Sequence, residues 1–164
     1  PKSSGRHGTS RVTSEADVAG TALDTSVIIP ALLAWHEHHG AALPIVSAAL
    51  TDTAPLVLPL PALVEAFAVL TRLPPPWRLR AGDAHRLLAD TFREGARIVG
   101  LEGDEAWGLL DTALATEVAG GATYDAHIAQ CAKKAGAARL ATFNRRHFER
   151  LDLGDMVLLV PSAP

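Results

Sequence analysis

The chain has 164 residues, 48% of them hydrophobic and 20% charged, and a formal net charge of −3. That length suits one domain with a substantial core, and the composition is that of a globular protein, not a disordered one. The slight acidity excludes a whole-chain basic field for nucleic acid, no apolar run is long enough for a membrane span, and the lone Cys131 closes no intramolecular disulfide; the expectation is a soluble, cytoplasmic protein.

Pro1 to about Gly20 is polar and reads as a flexible tail or the remnant of an engineered start, with the patterned domain spanning 21–164. Thr21–Val27 is a short strand running into Asp-Thr-Ser, followed by a helix to about His38. Ala41–Thr51 is a second helix and Leu56–Leu58 a strand. Pro59 or Pro61 opens the next helix, which stops near Arg72, before Pro74-Pro75-Pro76. Asp83–Glu94 is helical, Arg97–Val99 extended, and Glu102–Thr116 a helix capped near Gly103-Asp104. A helix from Thr123 or Tyr124 ends at Gly136, where a C-cap glycine is expected. Arg139–Thr142 is a strand, Arg145–Arg150 a short helix and Met156–Val160 the last strand. Strands alternating with helices predict an α/β fold, a parallel sheet of short strands covered on both faces.

Ligands of open α/β sheets sit beyond the carboxyl ends of the strands, so polar residues there are the candidates. Asp24 ends the first apolar run; taken alone, it is equally a helix N-cap. Glu65 lies in Leu60–Leu70, a helix so apolar that it predicts burial all round and a carboxylate facing a cleft. Asp125 falls in a first helical turn, where a negative charge also answers the helix dipole. Asn144 follows the next strand and is itself a reasonable N-cap. Together they form a set of hard oxygen donors suited to magnesium or manganese, with no Cys/His cluster of zinc spacing to compete. Arg72, on the Glu65 face, and Arg145, Arg146 and Arg150, which follow Asn144, are the candidate phosphate contacts, although ordinary surface arginine explains each of them too. His147 lies near the same positions. Trp35-His36-Glu37-His38-His39 reads as a solvated helix end, Trp77 and Trp107 as packing residues, Lys133 and Lys134 as answers to a helix dipole, and Cys131 as buried and inert.

Four segments carry a resemblance: Leu23-Asp24-Thr25-Ser26-Val27, Leu63-Val64-Glu65-Ala66-Phe67, Tyr124-Asp125-Ala126-His127-Ile128-Ala129, and Ala141-Thr142-Phe143-Asn144-Arg145-Arg146-His147-Phe148. In this order they resemble the signature segments of PIN domains, and most closely those of VapC-type toxins. The resemblance implies an α/β/α sandwich around a mainly parallel sheet of about five strands, and magnesium-dependent hydrolysis of RNA phosphodiesters. By the same resemblance Asp24, Glu65 and Asp125 are the metal ligands, Asn144 the fourth catalytic position, and Thr25 and Thr142 residues beside the site. Many relatives carry Asp where this chain has Asn144, which leaves one ion secure and a second in question. A VapB-like antitoxin and a homodimer are implied as partners, the apolar segments Val27–Trp35 and Ala41–Leu50 offering a groove that core packing explains equally well. A dehalogenase-type phosphotransferase is disfavoured, since position 26 is Ser where that chemistry needs Asp. The remaining alternative is a catalytically weak PIN fold acting as an interaction module.

Overall fold

A computed structural model describes residues 20–162, so the expected N-terminal tail lies outside the described residues. Five short strands form one sheet: β1 (Thr21–Leu23), β2 (Leu56–Pro59), β3 (Ala96–Val99), β4 (Arg139–Ala141) and β5 (Val157–Leu159). Their order is β3-β2-β1-β4-β5, and every pairing is parallel. Central strands of such a sheet are covered on both faces, which is why β1 and β2 are buried at every residue and read as unbroken apolar runs. The edges are less apolar, and Arg97 on β3 points a charge outward where another chain could pair.

Parallel neighbours need crossovers, and these are helical. The helices α1 (Thr25–Leu32) and α2 (His39–Thr51) join β1 to β2, while α3 (Leu60–Arg72) and α4 (Ala81–Phe92) join β2 to β3. The return to the other side of β1 uses α5 (Gly103–Ala115) and α6 (Ala122–Lys134), and the short α7 (Arg145–Phe148) leads to β5. The chain thus leaves β1 in one direction for β2 and in the other for β4. That reversal opens a crevice at the carboxyl ends of β1 and β4. The core beneath it is filled by Leu23, Ile28, Leu58, Leu70, Phe92, Ile128, Leu140 and Phe148.

Several local expectations hold and others need correction. Gly136, at φ +69°, ends α6 with paired bonds from Gly136 N–H to Lys133 O and from Ala137 N–H to Ala132 O, at 2.9 and 3.1 Å. The cap of α5 is Glu102, which exchanges bonds with Glu105 in a capping box. The first helix stops at Leu32, well short of His38, and successive tight turns carry the chain to α2. The Pro30 carbonyl, which takes the Leu33 N–H at 3.3 Å, also accepts a 2.8 Å bond from the ring of His39. Nor is α3 buried all round: Ala62, Ala66 and Leu70 face the core, while Val64 is 60% exposed and Phe67 lines an open apolar groove against α4 and β3. Small alanines on one stripe bring this helix close to its neighbours and leave its larger apolar side chains outside. The apolar residues of α1 and α2 go largely to the core, through Val27, Ile28, Ile29, Ala42, Val46 and Ala49.

Gly20 enters β1 against the loop before β2, and a Cβ there would stand 1.9 Å from the carbonyl oxygen of Pro55. Neither partner in that clash is a movable side chain. Gly20→Ala should therefore destabilise the fold by roughly 1–3 kcal/mol, an overpacking cost, read as a lowered urea midpoint; an unchanged midpoint would refute the contact.

Candidate active site

Asp24 is the first residue beyond β1, and its N–H extends the β1–β4 ladder by bonding Ala141 O at 3.0 Å. Its backbone occupies the N-cap position of α1, yet its carboxylate caps nothing. Instead Oδ2 accepts Ser26 Oγ at 2.5 Å and Thr142 Oγ1 at 2.7 Å, while Oδ1 has no side-chain donor. The residue is 2% exposed and Thr142 is fully buried beneath it. Ser26 also accepts the Phe143 N–H at 3.0 Å, and Thr142 Oγ1 accepts that of Asn144 at 2.9 Å. Two hydroxyls therefore tie the segment after β4 to the carboxylate after β1.

The other acids arrive from helices. Thr25, on the first turn of α1, donates to Glu65 Oε2 at 2.7 Å and so fixes an otherwise exposed side chain of α3. Asp125, half-buried on α6, lies 3.1 Å from His147 Nδ1 of α7. Helices α3 and α6 touch one another, which brings their acids to the same place. Asp24, Thr25, Glu65, Asp125 and Asn144 line a single open cleft of about 410 Å³, with His36, His38 and Phe143 on its wall.

Electrostatically this cleft is uncompensated. Burial raises the Asp24 carboxyl above the usual carboxylate range, the Ser26 and Thr142 hydroxyls oppose that, and Asp125 adds to it. Burial likewise raises Asp125, against the pull of His147 and with a further push from Glu65. Among the described residues no Lys or Arg pairs with any of the three acids, and only His147 meets one of them. Three oxygen-donor carboxylates facing one cleft, met by a single histidine, fit a hard divalent cation. Among the described residues no three such side chains already stand in reach of one ion. Glu65 and Asp125 are each held by a neighbour, so gathering them about a cation takes side-chain rotation.

Arg72, Arg145 and Arg146 are exposed and do not line the cleft; Arg145 is paired along its own helix with Glu149. Lys133 and Lys134, besides standing in the last turn of α6, form ion pairs with Asp152 and Glu105 at 2.7 and 2.6 Å. Cys131 is fully buried, its thiol pushed up to about 11 by burial. Three wall residues escaped sequence reasoning. His36 and His38 reach the cleft because α1 stops early, and His38 stacks on Phe143 with ring centroids 4.7 Å apart. Ser26 had a legible signal, a hydroxyl two residues beyond a strand-end Asp.

Residues 21–153 match the PIN domain family. The chain belongs to the PIN-domain family. This PIN domain is VapC-like: it is 40% identical over 126 residues to ribonuclease VapC40 of Mycobacterium tuberculosis, covering 77% of this chain and 87% of that one. Its fold is similar to that of Mycobacterium tuberculosis VapC20, a sarcin-ricin loop cleaving toxin, with a TM-score of 0.65 at 16% identity over 84% of this chain and 98% of that one. It is also similar to Rickettsia felis VapBC2 bound to a promoter DNA fragment, with a TM-score of 0.60 at 16% identity over 87% and 98% of the two chains. The parallel five-stranded sheet expected of a PIN domain is present in full.

Because Asp24 and Asp125 hold protons more tightly folded than unfolded, each costs stability as it ionises, from about the ordinary value of 3.8 upward. The metal-free Asp24→Asn variant should therefore gain stability over wild type, and the gain should widen as pH rises from 4 to 7 in chelator-treated urea titrations. A gain that narrows over that range would reverse the sign of the electrostatic reading.

Proposed function

We propose that this PIN domain is a metal-dependent endoribonuclease, the toxin of a VapBC-type toxin–antitoxin pair, that hydrolyses RNA phosphodiester bonds. The carrying observation is that Asp24, at an N-cap position, has no side-chain cap bond and faces the same cleft as Glu65 and Asp125, with no basic partner of its own among the described residues. Support comes from the similarity to a curated ribonuclease across most of both chains.

Asp24, Asp125 and Glu65 would hold Mg2+, or Mn2+ by the same oxygen-donor chemistry. A divalent cation so held makes a water easier to deprotonate and offsets charge on a phosphoryl oxygen. The chain's own residues supply the rest. Ser26 and Thr142 fix one oxygen of Asp24 and leave the other for coordination. Thr25 presents Glu65 toward the cleft. His147 holds Asp125 and can hand it a proton or take one at Nδ1. Asn144 lines the cleft without adding a fourth negative charge, and its amide offers a donor to a phosphate oxygen. Arg72 and Arg146, exposed and unpaired among the described residues, supply positive charge at longer range.

A VapB-like antitoxin is the proposed partner, the class that accompanies the toxin in the Rickettsia structure. A homodimer is proposed as the toxin's own assembly, with Trp107, Leu110 and Leu114 forming an exposed apolar stripe on α5 that would serve it. No helix among the described residues is long and apolar enough to cross a membrane. The cytoplasm, where its RNA substrates lie and thiols stay reduced, is the proposed location.

Wild type with Mg2+ should cleave cellular RNA, and Asp24→Asn or Asp125→Asn should lower kcat by about 10²-fold or more, the several kcal/mol that a metal centre contributes. Thr142→Val, which removes the donor to Asp24 and the acceptor of the Asn144 N–H, should lose roughly 10- to 100-fold, as outer-sphere partners do. At 100 times its Kd, Mg2+ should stabilise wild type by about 2.7 kcal/mol in thermal melts, an effect absent from Asp24→Asn. Stabilisation by Mg2+ without cleavage of any RNA would favour the interaction-module reading instead.

A further inference from the structure

Resting on the nuclease reading above, we propose that an aromatic rail leading out of the cleft, Phe143–His38–His36–Trp35–Trp77, stacks unpaired bases of the RNA strand that the cleft engages. Phe143, His38 and His36 line the acidic cleft itself. From there the rings follow one another outward. His38 stacks on Phe143 at 4.7 Å, His36 stands 5.6 Å from His38, Trp35 lies 6.0 Å from His36, and Trp77 stacks on Trp35 at 4.4 Å. The two tryptophans are 45% and 44% exposed, so each keeps ring surface open beyond their mutual stack.

Two further features select a nucleic acid strand for this surface. The far end of the rail is cationic: Arg72, Arg78 and Arg80 flank Trp77 in sequence and pair with no acid among the described residues. Glu37 is the acid within the rail's own turn, and it stands 3.8 Å from His38. Aromatic faces beside guanidinium groups are the recognition chemistry of single strands, whose bases stack while phosphates meet positive charge. The rail is also anchored at its outer end and in its middle. Trp77 N–H bonds Pro74 O at 3.0 Å and Leu79 N–H bonds Leu70 O at 3.1 Å, holding the loop after α3, while His39 ties the turn after α1 to Pro30. Stacking on preset rings loses little side-chain entropy. The ligand class is thus RNA with several consecutive unpaired nucleotides next to the scissile phosphate, and a fully paired duplex would bypass the rail.

The test uses the full chain and a fluorescein-labelled single-stranded oligoribonucleotide of mixed sequence, alongside copies with abasic positions stepped along it. Binding is read by anisotropy with Asp24→Asn to prevent turnover, and cleavage with the otherwise wild-type chain. An abasic position over the rail should weaken binding roughly 5- to 100-fold, the worth of one stacked base. Trp77→Ala should weaken binding of intact RNA by a similar factor and lose nothing more on the abasic RNA. Trp77→Phe, which keeps a ring, should recover most of the loss. In cleavage, Trp77→Ala should raise KM and leave kcat within a few-fold of wild type. Indifference of the parent chain to every abasic position would overturn the rail even if Trp77→Ala failed to fold. So would a Trp77→Ala chain that binds and cuts RNA normally but has lost a protein partner. Failure of the underlying nuclease reading looks different: no cleavage by wild type at any RNA concentration, whatever the tryptophan variants do.

Discussion

The constraint on which this molecule depends is the parallel pairing of β1 with β4. Their register sets Leu23 beside Ala141, and the Asp24 N–H to Ala141 O bond carries the ladder one residue further. That single extra rung places the residue after one strand against the residue after the other. Asp24 and Thr142 then have no choice but to meet, and the Thr142 hydroxyl lies 2.7 Å from the carboxylate. The segment after β4 is built outward from this contact, because Ser26 and Asn144 are bonded to those two side chains and Phe143 to Ser26.

The arrangement carries a stability cost that a nuclease can use. Taking a carboxylate out of water is disfavoured in a folded chain, and Asp24 and Asp125 both show it as raised proton affinity, Asp125 in spite of His147 beside it. Elsewhere the chain offsets charge conventionally, with Lys134 on Glu105 and Lys133 on Asp152. The contrast is confined to one place, at the switch point of the sheet, where α/β folds bind ligands. An electrostatic deficit at such a place is what a cation-binding centre requires. The cleft's opposite wall differs in kind. His36, His38 and Phe143 give it aromatic rings, continuing into the exposed tryptophan pair. Acid on one side and aromatic surface on the other give the cleft two chemically distinct walls.

Much of this was legible from residues alone, and the failures have physical causes. The strand–helix alternation, the apolar central strands, the glycine ending α6 and the inert cysteine follow from local chemistry, because period, propensity and capping act over a few residues. The burial of α3 was misjudged because apolar content does not reveal which face packs; Ala62 and Ala66 face inward and Val64 and Phe67 outward. Pattern alone extended α1 to His38, whereas the chain turns after Leu32 and sends two histidines to the cleft. The arginines beside Asn144 were placed near the centre by sequence proximity, but a helical turn takes Arg145 to Glu149 and away from the acids.

By itself, then, the sequence determined the order of elements, the parallel sheet and the identity of four polar residues as candidates. Asp24, Asp125 and Asn144 were each compatible with a simple cap or first-turn role, since capping and ligation call on the same side chains; Glu65, mid-helix, was not. Only the tertiary structure set capping aside for Asp24 and Asn144, whose side chains make no cap bond although their backbones occupy cap positions. It also decided which rings stand beside the acids. Both decisions depend on contacts between residues more than a hundred positions apart, such as Thr142 with Asp24 and Phe143 with Ser26. Local periodicity carries no information about such pairs; the packing of helices against a parallel sheet creates them.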